Sequence, residues 1–88
     1  MVFYVLELIK LAQQLESYMK VDYNFKLFKY EITLHDIYYK ESKSYARFNI
    51  AGYGFTIEDA AYDYIRKCRG GSLANEKTNK EIEPSWVR

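Results

Sequence analysis

The spacing of apolar residues over the first eighteen positions predicts an α-helix. Five of these residues recur at intervals of three and four and therefore share one helical stripe: Tyr4, Leu8, Leu11, Leu15 and Tyr18. Phe3 and Leu6 fall on the opposite, polar side of this helix. Because apolar side chains outside a core stripe are often covered by another molecule, we predict that both lie in a homodimer or partner contact.

From Tyr23 onward the pattern changes to that of a β-strand. Apolar and polar side chains alternate over residues 28–34, which predicts a strand with one buried face. The apolar positions just before it, Tyr23, Phe25 and Leu27, alternate in the opposite phase. One face cannot bury both sets, so we expect a bulge or a break near Leu27 and Phe28.

The middle of the chain holds further strand signals. Asp36 is the one turn-forming residue between Phe25 and Tyr39, which leaves open whether this stretch makes one long strand or two short ones. A polar turn, "ESKS", then leads to alternation over residues 46–50, which predicts another strand.

A glycine-containing corner, "GYGFT", is followed by the second predicted helix. Thr56 is placed to cap this helix, with Asp59 three residues later, and Gly70 supplies its end. Its predicted buried face consists of Ile57, Ala61, Tyr64, Ile65 and Cys68. Neither the dinucleotide-binding nor the P-loop pattern is present, so the corner is interpreted as a structural junction.

Together these elements predict a single small α+β domain over residues 1–71, with the order α-β-β-(β)-α. Two helices are expected to pack on one face of an antiparallel sheet. Residues 72–88 are predicted to form a C-terminal tail that begins as a polar segment. Trp86 in this tail either covers the domain's own core or is offered to a partner.

Composition and charge limit the range of functions that the sequence allows. A net charge of +1 gives no general field for attracting nucleic acid. No stretch approaches the roughly 18 apolar residues of a membrane span, so no membrane partner is expected. The single Cys68 cannot form an intramolecular disulfide, which favours a cytoplasmic location. His35 is the only histidine, and without partners at ligand spacing it predicts neither a metal site nor a cofactor.

The stretch from Gly52 to Ala60, "GYGFTIEDA", resembles the strand, corner and helix of the HicB-type antitoxin fold, although that family lacks a long leading helix. The corner is also similar to that of double-stranded-RNA-binding domains. There a basic cluster opens the last helix, whereas Ile57, Glu58 and Asp59 stand at the matching positions here. More loosely, the whole chain resembles small accessory proteins encoded by phages and prophages.

The function that these features favour is stoichiometric binding and not catalysis. The resemblance implies a phage-type accessory protein that binds a host protein, with inhibition of a defence system such as CRISPR as one form of that role. Ten tyrosines support a contact surface. The candidate contact residues are Phe3, Leu6, Tyr38, Tyr39, Tyr45 and Trp86. The alternative is a small nucleic-acid-binding module whose basic residues are Lys26, Lys29, Lys40, Lys43 and Arg47.

Overall fold

The computed structural model describes residues 3–41 and 46–83. Over these ranges the chain is an α+β protein, as the sequence predicts. Its elements, in chain order, are α1 (Phe3–Gln14), β1 (Met19–Asn24), β2 (Lys29–Leu34), β3 (Ile37–Glu41), β4 (Arg47–Phe48), β5 (Gly52–Gly54), α2 (Ile57–Lys67), β6 (Gly71–Asn75) and β7 (Glu81–Ile82). None of the described helices is long and apolar enough to cross a membrane.

The strands form two antiparallel sheets where one sheet was expected. The first sheet has the order β1-β2-β5, and the second has the order β4-β3-β6-β7. Five described strands lie between the helices, not two or three. Asp36 adopts a positive φ of 57° in the turn between β2 and β3. The stretch that could have formed one long strand therefore forms two short ones, which belong to different sheets.

The expected helix α1 ends earlier than its apolar spacing predicts. Leu8, Leu11 and Leu15 are buried, but α1 ends at Gln14 because Glu16 turns to a positive φ of 56°. Tyr18 therefore leaves the helical stripe and stacks on the His35 ring, with ring centres 4.7 Å apart.

Helix α2 agrees closely with its sequence signals. The Thr56 hydroxyl accepts a hydrogen bond from the Asp59 backbone N–H at 3.0 Å, and Gly70 has a positive φ of 85° after the helix. Ala61, Tyr64, Ile65 and Cys68 are buried as predicted. The prediction for Ile57 is wrong: α2 turns back over β5 and starts beyond its end, so Ile57 remains partly exposed.

The segment assigned to the tail contains part of the fold. β6 pairs with β3 on one side and with β7 on the other, and Leu73 is fully buried. A domain boundary at residue 71 is therefore wrong, because β6 is a central strand of the second sheet. The polar turn that was expected follows it, at residues 76–78.

Candidate binding surface

The turn between β1 and β2 carries exposed apolar side chains. The Asn24 side-chain oxygen accepts hydrogen bonds from the backbone N–H groups of Lys26 and Leu27, at 3.0 and 3.1 Å, and Phe28 takes a positive φ of 56°. This confirms the expected break near Leu27 and Phe28 as a chain reversal. Phe25 is 78% exposed and Phe28 71% exposed, and Leu27 is also exposed.

The exit from β5 adds another phenylalanine at the same end of the first sheet. Tyr30 pairs with Gly54 in antiparallel register, so the residues just before Tyr30 and just after Gly54 lie at one end. Phe55 is 74% exposed there. The Lys29 ammonium lies 5.3 Å from the centre of the Phe55 ring, within range of a cation–π contact.

The start of α1 is held at this end by α2. The Glu58 carboxylate accepts hydrogen bonds from the backbone N–H groups of Tyr4, at 2.7 Å, and Val5, at 2.9 Å. This satisfies donors that a helix N-terminus leaves free. The exposed Phe3 ring meets the Tyr4 ring edge-on at 5.2 Å. The aromatic end of the molecule is defined by Phe3, Phe25, Leu27, Phe28 and Phe55.

The predicted contact residues are not gathered in one place. Phe3 and Leu6 are exposed on α1, as expected. Tyr38 is half-buried in the second sheet, where the Arg47 guanidinium lies 4.8 Å from its ring centre. Tyr45 and Trp86 lie outside the described residues.

Tyr39 is not available as a contact residue. It faces the core with only 8% of its surface exposed, because its ring packs with the buried residues of the second sheet. Its hydroxyl donates a hydrogen bond to the Arg69 carbonyl at 3.0 Å. Burial, and then the charge of Glu41, raises the pKa of this phenol. Tyr39 is therefore a core residue.

The basic residues of the nucleic-acid alternative are divided between the two sheets. Lys26 is in the β1–β2 turn and Lys29 lies over Phe55. In the second sheet, the Lys40 ammonium lies 3.5 Å from Glu81, and Arg47 lies over Tyr38. Lys43 is outside the described residues. The four described residues do not line one continuous track.

Among the described residues, Cys68, His35 and Ser17 are buried or engaged in contacts within the chain. Burial raises the pKa of the Cys68 thiol to about 12, so it stays protonated at neutral pH. His35 Nε2 lies 3.2 Å from Asp36 Oδ2. The Ser17 hydroxyl donates its proton to the His35 backbone carbonyl and not to the imidazole, so this trio has no activated nucleophile.

An open cleft lies between the two sheets beside His35. Its volume is about 300 Å³, and its lining includes Lys20, His35, Asp36, Asn49 and Glu76. Its charged groups have both signs, and within residues 3–41 and 46–83 no group of three His, Cys, Asp or Glu side chains is placed to hold a metal ion.

The sequence pattern does not identify most of the aromatic end. The alternation places Phe25, Leu27 and Phe28 in strands, and Phe55 falls in the glycine corner. The signal was present in the conflict of strand phases, since a change of phase at an Asn-containing segment is typical of a hairpin turn. A hairpin turn placed there would have left three large apolar residues without a sheet to cover them.

Comparison with models of known protein families, with curated proteins and with solved structures finds no match.

Proposed function

We propose that the protein is a non-catalytic binding module that docks a partner protein through its aromatic end. The observation that carries this proposal is the exposure of Phe25, Phe28 and Phe55, each more than 70%, at one end of the first sheet. Aromatic side chains are the commonest energetic anchors of protein interfaces, since they bury a large area with few rotatable bonds.

The backbone beneath these rings is held in place, which favours binding without a large ordering cost. Asn24 fixes the hairpin turn through two hydrogen bonds, and Glu58 fixes the start of α1 through two more. The side chains can therefore be presented on a preformed surface.

Binding is favoured over catalysis by the state of the reactive groups. The Cys68 thiol is buried and protonated, and the Ser17 hydroxyl is committed to a backbone carbonyl. The cleft beside His35 brings together charges of both signs, and the described residues that line it do not pair a nucleophile with a base.

The wider role that we propose is that of a phage-type accessory protein whose partner is a host protein. Inhibition of a host defence system such as CRISPR is one form of this role. These statements rest on the loose resemblance of the whole chain to such proteins, on its small size and on its tyrosine content.

Capture from a nuclease-treated host lysate, with the protein immobilised, tests the proposal. We expect a host protein to be retained at a fixed stoichiometry and at high salt, since an apolar contact is little affected by screening. The double variant Phe25→Ser/Phe28→Ser removes two proposed anchors and should weaken binding of that protein by roughly thirtyfold or more, since the loss of one strong interface anchor alone has about this effect. Lys26→Ser, in the same turn, is the matched control and should bind normally.

Thermal unfolding by circular dichroism establishes that both variants are folded before capture is compared. Equal capture by the phenylalanine variant and the Lys26 control would overturn the proposal. The same capture from untreated lysate tests the nucleic-acid alternative. Retention that is seen only without nuclease treatment, or only at low salt, would support that alternative, because phosphate contacts weaken steeply with salt.

A further inference from the structure

β1 is an edge strand whose outer side is open among the described residues. The order β1-β2-β5 leaves β1 and β5 at the two edges of the first sheet. The β5 edge is covered: the Tyr53 N–H donates to Asp63 at 2.9 Å, and the Lys67 ammonium donates to the Ala51 carbonyl at 2.9 Å. No strand within residues 3–41 or 46–83 pairs with the outer side of β1.

The hydrogen-bonding pattern shows which backbone groups face this open edge. The His35 N–H donates to the Tyr18 carbonyl at 3.0 Å, and the β1–β2 register places these two residues opposite each other. Along an antiparallel ladder, hydrogen-bonded pairs of residues alternate with pairs that are not hydrogen-bonded to each other. Lys20, Asp22 and Asn24 therefore direct their backbone groups to β2, whereas Met19, Val21 and Tyr23 direct theirs outward.

The side chains of β1 give this edge a self-complementary charge pattern. Lys20 and Asp22 lie two residues apart on one face, and Val21 and Tyr23, both partly exposed, lie on the other. Asp22 also faces Glu31 directly across the β1–β2 ladder. Two like charges in this position are unfavourable without a nearby cation.

We propose that a second copy of the chain pairs antiparallel with β1, about a two-fold axis at Val21. Lys20 of each copy then faces Asp22 of the other, and the added lysine also offsets the Asp22–Glu31 repulsion. Val21 faces its own counterpart, and Met19 faces Tyr23. The outward N–H and C=O groups of these three residues form the new ladder, so two three-stranded sheets join into one of six strands.

Neighbouring registers do not have this complementarity. Two neighbouring registers also keep outward-facing residues opposite each other, with the two-fold axis at residue 20 or at residue 22. The first sets Lys20 against Lys20 of the other copy, and the second sets Asp22 against Asp22. Both place like charges on the two-fold axis, which is destabilising. The charge pattern therefore selects the register at Val21.

Sedimentation over a concentration series, at low salt, measures the self-association. We expect the wild-type protein to approach twice its monomer mass of 10.5 kDa. Lys20→Asp and Asp22→Lys should each raise the dimer dissociation constant roughly tenfold, because two symmetry-related pairs become repulsive. Lys26→Asp makes the same change in net charge as Lys20→Asp, but outside β1, and should not weaken the dimer.

Mixing the two weakened variants gives the decisive result. A heterodimer of Lys20→Asp with Asp22→Lys has both facing pairs attractive again, so the mixture should recover the dimer. The same holds for the double variant that carries both changes in one chain. Phe3→Ser/Leu6→Ser, which alters the surface favoured by the sequence pattern, should leave the dimer unchanged.

A wild-type protein that stays monomeric at every concentration would overturn the inference, as would single variants that dimerise normally. Failure of the mixture to recover the dimer would overturn it as well. The inference does not depend on the proposed function, since Phe25→Ser/Phe28→Ser leaves Lys20, Val21 and Asp22 intact and should still dimerise.

Discussion

A single carboxylate, that of Asp63, joins α2 to the edge of the first sheet. It accepts a hydrogen bond from the Tyr53 backbone N–H at 2.9 Å and forms ion pairs with Arg66 at 2.6 Å and Lys67 at 2.9 Å. Burial alone would raise the pKa of Asp63, but these hydrogen bonds and the charge of Lys67 outweigh burial and lower it from 3.8 to about 2. The ionised form is therefore bound more tightly in the folded protein than in the unfolded chain.

The pH dependence of stability follows from this lowered pKa. Because the unfolded chain takes up the proton first, the contribution of Asp63 is fully present above about pH 4 and is lost as pH falls towards about pH 2. We expect Asp63→Asn to lower the free energy of unfolding by about 2 kcal/mol at neutral pH and much less at pH 2. Denaturant titrations at both pH values measure the difference.

Asp59→Asn is the control for Asp63→Asn, since Asp59 is an exposed carboxylate in the first turn of the same helix. It should produce a smaller change at neutral pH. A deficit for Asp63→Asn that is as large at pH 2 as at pH 7 would show that its charge is not the source of the stabilisation.

Helix α2 packs so closely against β5 that the glycines of β5 have no room for a side chain. A Cβ atom at Gly52 would lie 2.1 Å from the Ala60 carbonyl oxygen and 2.6 Å from the Tyr64 backbone nitrogen. At Gly54 it would lie 2.5 Å from the Ala60 backbone nitrogen. These are backbone atoms of α2, so no rotamer change relieves the collision. The glycine corner is therefore a packing requirement.

Gly52→Ala should force α2 away from the sheet and lower the free energy of unfolding by about 3 kcal/mol, the upper part of the range for overpacked sites. Gly70→Ala is the matched control, because Gly70 has no atom within 4 Å of its would-be Cβ and only its positive φ of 85° is unfavourable. It should lower that free energy by about 1 kcal/mol. Thermal unfolding of the two variants compares their losses of stability. Equal losses would contradict the close packing of α2 on β5.

The sequence predicts α2 and its N-cap because the capping residue, the apolar stripe and the terminal glycine all lie within fifteen residues of one another. The apolar spacing extends α1 too far because Leu15 and Tyr18 continue its pattern, whereas Glu16 takes a positive φ and the Ser17 N–H donates to the Ala12 carbonyl at 2.7 Å, which ends the helix. Strand β6 is not predicted because its sequence, "GSLAN", has no clear alternation, and its pairing with β3 joins residues thirty or more positions apart.

Strand β6 connects the two halves of the chain. Leu73 lies between Tyr39 and Ile82 in the register of the second sheet. The buried Asn75 amide donates a hydrogen bond to the Leu15 carbonyl at 2.7 Å, just after α1, while its oxygen accepts from the N–H groups of Lys77 and Thr78. One short strand thus contributes to the core, the second sheet and the end of α1.

Shortening the Leu73 side chain, or removing most of β6, tests whether this strand is required for folding. Leu73→Ala removes a fully buried side chain and should lower the free energy of unfolding by about 3 kcal/mol. Lys77→Ala, in the exposed turn after β6, should have little effect. A chain of residues 1–71 lacks most of β6 and should show no cooperative unfolding transition, since β3 loses its central partner and Leu15 its buried amide contact. If residues 1–71 instead melt cooperatively at the temperature of the full chain, the first sheet and the helices form an independent unit and the second sheet only adds to it.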